Sequence, residues 1–208
     1  MDVKLFYSGP MQVNSYICVD EETKNGFIID PGGPNPNVDK YIQEQGYTFE
    51  YIILTHGHGD HICGVPYYQN KFNAKLIGHH GDDFLFMDER ENLSKEFTGR
   101  AITFTPDRYV NDGEIIKISN MNVKVIHTPG HTPGGISLLV GDYLFSGDTL
   151  FAQSIGRTDF KNGSFADLNK SIQKKLYTLP DDTQVMPGHM GATTIGDEKK
   201  YNMFVKAE

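Results

Sequence analysis

The chain has 208 residues, a formal net charge of −8, 38% hydrophobic residues and 22% charged residues. That length fits one large domain or two small ones, and the apolar content is enough for a hydrophobic core, which excludes a disordered chain. The acidic balance and the lack of a Lys/Arg cluster argue against a nucleic-acid-binding protein. No apolar run reaches membrane-spanning length and no N-terminal h-region is present, so we expect a cytoplasmic protein without membrane contact.

β-rich segments and helical periodicities follow one another along the chain. Strands are predicted at Val3–Tyr7, Val13–Val19, Gly26–Ile29, Tyr51–Leu54, Lys75–Gly78, Glu114–Ile118, Val123–His127, Ile136–Val140, Tyr143–Phe145 and Gln184–Met186. Helices are predicted at Asn37–Gln45, Ile62–Phe72 with an interruption near Pro66, Asp82–Phe97 and Phe165–Leu179. Strands followed by a helix, twice over, predict an α+β protein with two sheets packed face to face and helices outside. We treat residues 1–208 as a single domain.

The segment Thr55–His61 directly follows a predicted buried strand and holds four candidate metal ligands within six residues. Imidazole and carboxylate ligands without a thiolate suit zinc, iron or manganese. His56 and His58 are two residues apart in extended chain, so their side chains point to the same side. Asp60 and His61 follow where the chain must turn, and we expect them to face a different point. One short segment therefore indicates two metal ions.

Three more predicted strands end in a Gly- or Pro-containing turn that carries a ligand type: His131, Asp148 and His189. Rigid scaffolds present catalytic loops at the ends of neighbouring strands in this way. The first ion would be held by three imidazoles and the second by a mixed set: His56, His58 and His131, then Asp60, His61 and His189. Asp148 would bridge both ions, because a carboxylate has two oxygens with several lone pairs.

The motifs resemble those of the metallo-β-lactamase superfamily, and most closely its glyoxalase II (hydroxyacylglutathione hydrolase) branch. The matching segments are Thr55–His61, Thr128–Gly134, Ser146–Asp148, Pro187–His189 and the turn Asp30–Gly33. A further segment, Ile155–Phe160, resembles a part of the short glyoxalase II-like hydrolases and of the persulfide dioxygenases. The resemblance implies a four-layer αβ/βα sandwich, with two mixed sheets and outer helices, and the same assignment of metal ligands.

Two departures from the family pattern limit the function that the resemblance implies. The β-lactamases generally lack a bridging aspartate, so Asp148 argues against that activity. Full-length glyoxalase II enzymes carry an additional C-terminal helical region that contacts glutathione. Here only the segment Asp197–Val205 could correspond to it, which leaves glutathione recognition and the substrate-binding residues open.

The predicted function is a dinuclear metal hydrolase of the glyoxalase II type. Two divalent ions about 3.5–4 Å apart can share a water and lower its pKa, so that a bridging hydroxide attacks a carbonyl carbon. Asp60 is the predicted catalytic residue, because it can orient the hydroxide and accept its proton. A thiolate leaves with little protonation, whereas an amide nitrogen needs a general acid that the sequence does not reveal. This favours a small-molecule thioester such as S-lactoylglutathione, or otherwise an ester.

Alternative functions and the identity of the metal stay open at this point. The segment Gly156–Phe160 motivates a persulfide dioxygenase with one iron, and the same ligands would also serve a lactonase or a phosphodiesterase. Zinc is favoured as the cofactor, with iron or manganese as alternatives, because His and Asp sites accept all three.

Metal-bound imidazoles need hydrogen-bond acceptors behind them, and Asp30 and His127 are candidates for that role. A turn-forming aspartate and an ordinary strand-end histidine are equally compatible with the pattern. The pair His79–His80 also follows a predicted strand, and we expect it to face solvent or to support the site rather than to bind metal.

Several other residues have both a structural and a functional interpretation. Cys63 is expected in the core, and since no CxxC pattern exists, both cysteines are expected to be reduced thiols. Arg157 and Asp159 either contact substrate or form an ion pair that shapes their loop, and we favour the ion pair. Tyr67–Tyr68 and Phe151 either line the substrate pocket or fill the core.

Overall fold

The computed structural model describes residues 1–207 and contains two six-stranded sheets and a small two-stranded ribbon. The strands in chain order are β1 Asp2–Ser8, β2 Val13–Val19, β3 Asn25–Ile29, β4 Thr48–Ile53, β5 Lys75–Gly78, β6 Arg108–Tyr109, β7 Ile115–Ile118, β8 Met121–His127, β9 Ile136–Val140, β10 Tyr143–Gly147, β11 Leu150–Phe151, β12 Ser154–Ile155, β13 Gln184–Pro187 and β14 Thr193–Thr194. The α-helices are α1 Pro36–Gln45, α2 Gly59–Ile62, α3 Val65–Phe72, α4 Asp83–Phe86, α5 Ser94–Thr98, α6 Phe165–Ser171 and α7 Ile195–Tyr201.

Both large sheets are mixed, as predicted. The first has the order β1-β2-β3-β4-β5-β6, antiparallel up to β3 and parallel beyond it. The second has the order β14-β13-β10-β9-β8-β7, in which only the β10–β13 pair is parallel. Parallel neighbours place the ends of β4, β5 and β6 at one edge of the first sheet, and β10 and β13 do the same in the second.

The sheets pack face to face and helices cover their outer faces, which gives the predicted four layers. In β3, Phe27 and Ile29 point into the core between the sheets, while Ile28 packs on the helix side with α1 and α3. This is the two-residue alternation of a strand that is buried on both faces. On the far side, Leu168 of α6 and Ile195 of α7 pack against the second sheet. No helix within residues 1–207 combines the length and the apolar character needed to cross a membrane.

The single helix predicted over Asp82–Phe97 is wrong. The structure has a 3₁₀ turn at His80–Asp82, the short helices α4 and α5, and a loop between them. The buried side chain of Asn92 donates to the carbonyls of Leu85 (2.8 Å) and Ile102 (2.9 Å). Leu93 has a positive φ of 61°, which a continuous α-helix does not allow. Local side-chain bonds to the backbone therefore replace the helical ladder.

Two other helix predictions need smaller corrections. The segment predicted as Ile62–Phe72 is interrupted just before Pro66, because α2 ends at Ile62 and α3 begins at Val65. Pro66 itself lies in the first turn of α3, where its missing N–H costs nothing. The helix predicted over Phe165–Leu179 forms α6 and then a π-helical turn at Ile172–Leu176. The wider π turn keeps Leu168, Ile172 and Leu176, spaced four residues apart, on one fully buried face.

Candidate metal centre

The predicted ligands come from loops of both sheets that meet at one edge of the molecule. Backbone hydrogen bonds join these loops directly. Ile136 of β9 donates to the carbonyl of Thr55 after β4 (2.8 Å), and Gly188 donates to the carbonyl of Gly147 (2.8 Å). The ligand-bearing turns therefore form a connected frame, and the side chains they carry converge.

Three imidazoles form the first ligand set. His56, His58 and His131 are buried, and each offers a ring nitrogen, with these atoms all within 4.8 Å of one another. Nδ1 of His58 lies 2.9 Å from Nε2 of His131. The structure thus brings together the three residues that the sequence assigned to the first ion.

The second set combines a carboxylate with two imidazoles. Asp60, His61 and His189 offer ligand atoms that again lie within 4.8 Å of one another. Nε2 of His189 is 3.1 Å from Oδ2 of Asp60, and Nε2 of His61 is 3.7 Å from the same oxygen. These are the residues that the sequence assigned to the second ion.

Asp148 lies between the two sets. Its Oδ1 is 3.4 Å from Nε2 of His61, and its Oδ2 is 3.7 Å from Nε2 of His131 and 3.8 Å from Nε2 of His189. Glycine at position 188 permits this approach, because a Cβ there would stand 2.3 Å from Oδ1 of Asp148. The carboxylate therefore faces ligands of both sets, which is the position of a bridging group.

Buried polar atoms without a partner test whether metal ions fit this arrangement. Within the described residues, Nε2 of His56, Nε2 of His61 and Oδ1 of Asp148 are buried and have no hydrogen-bond partner. Buried polar groups are almost always paired, because leaving them unpaired is costly. The three atoms belong to the first set, the second set and the bridging group respectively. Two metal ions would satisfy all three, so the residues fit a dinuclear centre.

Protonation differs between the two sets. Burial lowers the pKa of His56 and His131, and it lowers the pKa of His58 to about 3, with neighbouring imidazoles adding to the effect for His56 and His58. Burial alone would also lower the pKa of His61, but the carboxylates of Asp60, Asp148 and Asp30 outweigh it and raise the pKa to about 10. The first set is therefore composed of neutral imidazoles, the form that binds metal.

The pKa of Asp60 is lowered, whereas burial alone raises the pKa of a carboxyl group. Burial would raise its pKa, but the imidazoles of His61 and His189 hold the pKa below its ordinary value. Asp60 is thus ionised at neutral pH, as a metal ligand must be.

Asp30 supports the second set, which confirms one of the two predicted acceptors. Its Oδ2 lies 2.9 Å from Nδ1 of His61 and accepts from the hydroxyl of Thr55 (2.5 Å), while its Oδ1 accepts from the amide of Thr55 (2.8 Å). This bond leaves Nε2 of His61 directed at the metal position. The other predicted acceptor, His127, contacts no candidate ligand in the described residues. It stacks on His79, with ring centroids 4.2 Å apart, and its Nε2 lies 2.9 Å from the carbonyl of Pro133.

The acceptor behind His131 is a backbone carbonyl that the sequence did not reveal. Nδ1 of His131 lies 2.7 Å from the carbonyl oxygen of Arg157. The next aromatic residue, Phe160, packs against His58 with ring centroids 4.7 Å apart. The segment that resembles the short hydrolases and dioxygenases therefore forms the wall beside the first set.

Asp82 is a second supporting residue that sequence reasoning missed. It is fully buried and accepts bonds from the amide of Gly57 (2.9 Å), the hydroxyl of Thr132 (2.9 Å) and the amide of Gly134 (2.7 Å). Burial raises its pKa to about 6. The carboxylate links the loop of His56 and His58 to the loop of His131. In the sequence it was the first residue of the helix predicted over Asp82–Phe97, and nothing marked it as a supporting residue.

The ligands open into a cavity of about 290 Å³. Apart from ligands, its lining residues are Arg157 and six apolar side chains: Met11, Phe97, Phe151, Ile155, Phe160 and Met190. Phe151 thus lines the pocket, whereas Tyr68 is fully buried in the core and the hydroxyl of Tyr67 bonds to Asp39 at the surface.

The remaining sequence candidates take structural roles. Arg157 and Asp159 form the predicted ion pair, with Nη2 of Arg157 2.7 Å from Oδ2 of Asp159. His80 stacks on Tyr109 and, like His79, lies outside every ligand group found in residues 1–207. Cys63 is only partly buried, and its thiol donates to the hydroxyl of Thr98 (3.3 Å) rather than facing the metal position.

Comparison with known proteins identifies the family. A profile described as the metallo-β-lactamase superfamily matches residues 8–189. Hydroxyacylglutathione hydrolase GloC of Haemophilus influenzae is 36% identical over 212 residues, covering 100% of both chains. The chain therefore belongs to the metallo-β-lactamase superfamily, as the motifs predicted, and is a metal-dependent hydrolase of that superfamily.

Solved structures agree with this assignment. The chain resembles the BLEG-1 B3 metallo-β-lactamase with a TM-score of 0.91 at 36% identity, covering 98% of this chain and 99% of the other. TTHA1623 in a di-iron-bound form gives 0.85 at 31% identity, covering 97% and 100%. ETHE1 from Myxococcus xanthus gives 0.78 at 28% identity, covering 98% and 84%. The predicted fold is confirmed, and one of these similar proteins binds two iron ions.

Proposed function

We propose that this protein hydrolyses a small acyl thioester, either S-lactoylglutathione or a related compound. The observation that carries the proposal is the position of Asp148 between two complete ligand sets at the floor of one cavity. When bound, two divalent ions in such a site polarise a carbonyl and lower the pKa of a shared water. The similarity to a hydroxyacylglutathione hydrolase over the full chain supports the same choice.

The cavity walls favour a leaving group that needs no proton. The titratable side chains that line it are the candidate ligands His58, Asp60, His131, Asp148 and His189, together with the guanidinium of Arg157. A guanidinium stays protonated and is a poor proton donor in catalysis. An amide or lactam nitrogen would need such a donor as it leaves, whereas a thiolate does not. Thioester hydrolysis therefore matches the groups that are present.

Asp60 has the position and charge of a catalytic group as well as of a ligand. Its Oδ2 lies 3.1 Å from Nε2 of His189, and its carboxylate lines the cavity. We propose that it orients the attacking water and accepts its proton. The apolar side chains Phe151 and Phe160 line the same cavity. Apolar walls lower the local dielectric constant, which strengthens electrostatic interactions at a carbonyl bound there.

The test is hydrolysis of S-lactoylglutathione by protein whose zinc, iron and manganese content has been measured. We expect turnover that depends on about two metal equivalents per chain. Asp148→Asn should lose turnover and reduce the occupancy of both metal positions, because Asp148 faces both ligand sets. Asp142→Asn, an exposed change in the turn just before β10, is the matched control and should change neither. No turnover of any acyl thioester by metal-replete protein would overturn the proposal.

A persulfide dioxygenase is the second candidate, and a specific contact favours it. The segment Gly156–Phe160 that motivated this alternative forms the wall of the first ligand set, through the carbonyl of Arg157 and the ring of Phe160. The similarity to ETHE1 is consistent with it. Oxygen uptake by the iron-loaded protein with glutathione persulfide would favour this function over hydrolysis. Hydrolysis of a lactone, a phosphodiester and a β-lactam should be measured alongside hydrolysis of S-lactoylglutathione, to test these alternative substrates.

A further inference from the structure

The metal cavity provides little positive charge for an anionic substrate beyond the metal positions. Arg157 is the only Lys or Arg among the described residues that line it. Its guanidinium already donates to Asp159 through Nε (2.9 Å) and Nη2 (2.7 Å), and its Cζ lies 4.5 Å from the ring centroid of Phe160. An anionic tail on a substrate would therefore need a cation from outside this cavity.

A second cavity of about 310 Å³ lies beside the metal cavity. Its lining residues are Gly9, Pro10, Gly32, Gly33, Pro34, Cys63, Thr98, Arg100 and Ile102. We call it the Arg100 cavity. Consecutive residues line the two spaces, since Pro10 borders this cavity and Met11 the metal cavity, and Thr98 borders this cavity and Phe97 the metal cavity. The two cavities are therefore neighbours along both segments.

The turn behind the second ligand set forms part of the same boundary. A Cβ at Gly32 would lie 2.6 Å from the carbonyl oxygen of Asp60, so the wall of the Arg100 cavity is in contact with a metal-ligand residue. Gly9 packs equally closely, because a Cβ there would lie 2.3 Å from the carbonyl oxygen of Gly32. Glycine at these two positions allows the backbone segments that form the cavity wall to pack closely against one another.

Two groups in the Arg100 cavity are suited to an anion and have no partner. Arg100 is its only charged lining residue, and it makes no hydrogen bond or ion pair within residues 1–207. Gly33 is buried, and its amide has no acceptor in that same part of the chain. A guanidinium and a backbone N–H together are a common arrangement for binding carboxylates and phosphates.

We propose that the Arg100 cavity binds the anionic thiol portion of the thioester while the acyl group lies in the metal cavity. The ligand class is a thiol with a carboxylate or phosphate tail, and Arg100 contributes specificity rather than chemistry. This rests on the proposed function, since it assumes a thioester substrate. It supplies a site for a glutathione-like tail within this domain, without any additional helical region.

The first test compares thioesters that share an acyl group and differ in their thiol. S-lactoylglutathione carries carboxylates, lactoyl-coenzyme A carries phosphates, and S-lactoyl-N-acetylcysteamine is neutral. Arg100→Gln should raise KM about tenfold for an anionic substrate, in line with the loss of one charge-assisted hydrogen bond, and leave kcat unchanged. KM for the neutral thioester should not change. Lys95→Gln, an exposed cation of α5 outside both cavities, is the matched control.

The substrate that responds identifies the anion as carboxylate or phosphate, and either response supports the proposal. Equal changes for the neutral and anionic thioesters, or no change for either anionic one, would overturn it. If the wild-type protein hydrolyses no thioester at all, the proposed function fails. If it hydrolyses them with a KM that Arg100→Gln does not affect, only the second cavity's role fails.

The second test needs no catalysis, because Cys63 lines the Arg100 cavity and is partly exposed, whereas Cys18 is fully buried. Alkylation of both thiols by iodoacetamide is followed by mass spectrometry, with Cys18 as the internal reference. S-methylglutathione and desulfo-coenzyme A are probes that cannot be hydrolysed. One of them should slow alkylation of Cys63 severalfold in the wild type and not in Arg100→Gln. An unchanged rate with both probes would contradict the assignment.

Discussion

The two ligand sets are built from similar side chains but are supported differently. The first consists of three neutral imidazoles, and a fully buried carboxylate, Asp82, links their loops through backbone amides and a hydroxyl. The second includes the carboxylate of Asp60, and the carboxylate of Asp30 contacts the ligand imidazole of His61 itself. In the first set the supporting carboxylate therefore bonds mainly to the backbone of the ligand loops, whereas in the second set it bonds directly to a ligand side chain.

Because of this difference, the two metal positions carry different charge and should respond differently to substitution and to pH. His61 of the second set lies close to three carboxylates, those of Asp30 (2.9 Å), Asp60 (3.7 Å) and the bridging Asp148 (3.4 Å). The three ligands of the first set are all uncharged. A more anionic site holds a divalent cation more strongly but also holds protons more strongly. We therefore expect substitutions and pH to affect the two positions unequally, and Asp148, which faces both sets, to be the exception.

The largest effect is expected from Asp60→Ala. Turnover should fall on the order of a thousandfold, the upper end of what removing one group of an electrostatic site costs. Occupancy of the second ion should fall more than that of the first, because Asp60 contacts His61 and His189. Turnover and metal content measured on the same preparation check both statements. Equal loss of both ions would show that the pairing of ligands is wrong.

The next effect in size is expected from Asp30→Asn. Removing the charge behind His61 should lower affinity for the second ion about 10- to 100-fold, the usual range for a group that orients a metal-bound imidazole. Competition with a chelator measures the affinity of each equivalent separately. Asp20→Asn is a control at a carboxylate that bonds to the loop amides of Glu22 and Asn120 instead. A similar loss in both equivalents would remove the distinction between the sets.

The strand-end ligands could be predicted from the sequence because the residues next to them, a strand and a turn, indicate where they lie. Two-residue spacing places His56 and His58 on one side, and the residues after β8, β10 and β13 follow turns that the sequence marks with glycine or proline. Asp30 could be proposed from the sequence for the same reason, since it directly follows β3. Asp82 was not, because its three partners lie 25 to 52 residues away along the chain. His127 follows the same strand-end rule and was a wrong candidate, because it stacks on His79.

The wrong helix prediction has a related cause, namely side-chain bonds to backbone groups that lie several residues away in the sequence. The periodicity of Asp82–Phe97 indicated one helix, but Asn92 bonds to carbonyls on both sides of it and breaks the segment into pieces. That break has a role at the site, since the amide of Gly59 donates to the carbonyl of Asn92 (2.6 Å) and the loop rests on the ligand turn. Side-chain bonds to distant backbone do not produce a repeating sequence pattern, so neither they nor the Arg100 cavity could be predicted.

A third experiment distinguishes the two ligand sets by the number of protons that each releases when it binds metal. The pKa of His61 is raised to about 10 in the metal-free protein, so at pH 7 this ring carries a proton that the second ion must displace. The pKa of His58 is lowered to about 3, so the first set is already unprotonated. Affinity for the second ion should therefore rise with pH up to about 10, whereas affinity for the first should be flat near neutrality. Calorimetry in buffers with different ionisation enthalpies should show about one proton released for the second ion and none for the first. Release with both ions would contradict the comparison.

The smallest effect is expected from Asp82→Asn, and it should fall on the first ion. Oδ2 accepts from Gly57 and Thr132, while Oδ1 accepts from Gly134, so three donors surround the carboxylate. An amide has only one oxygen, and in either orientation its NH₂ faces a backbone N–H. One of the two ligand loops then loses its anchor, and affinity for the first ion should fall about tenfold.

The adjacent change Asp83→Asn is the control for this position, because Asp83 is partly exposed and bonds to His80 rather than to a ligand loop. Chelator competition should show wild-type affinity for both ions in this variant. If Asp82→Asn instead weakens the second ion, or lowers only the thermal midpoint while both affinities stay unchanged, Asp82 stabilises the fold and does not position the first ligand set. If it weakens the first ion alone, the main-chain frame of that set depends on one buried carboxylate, as the second set depends on Asp30.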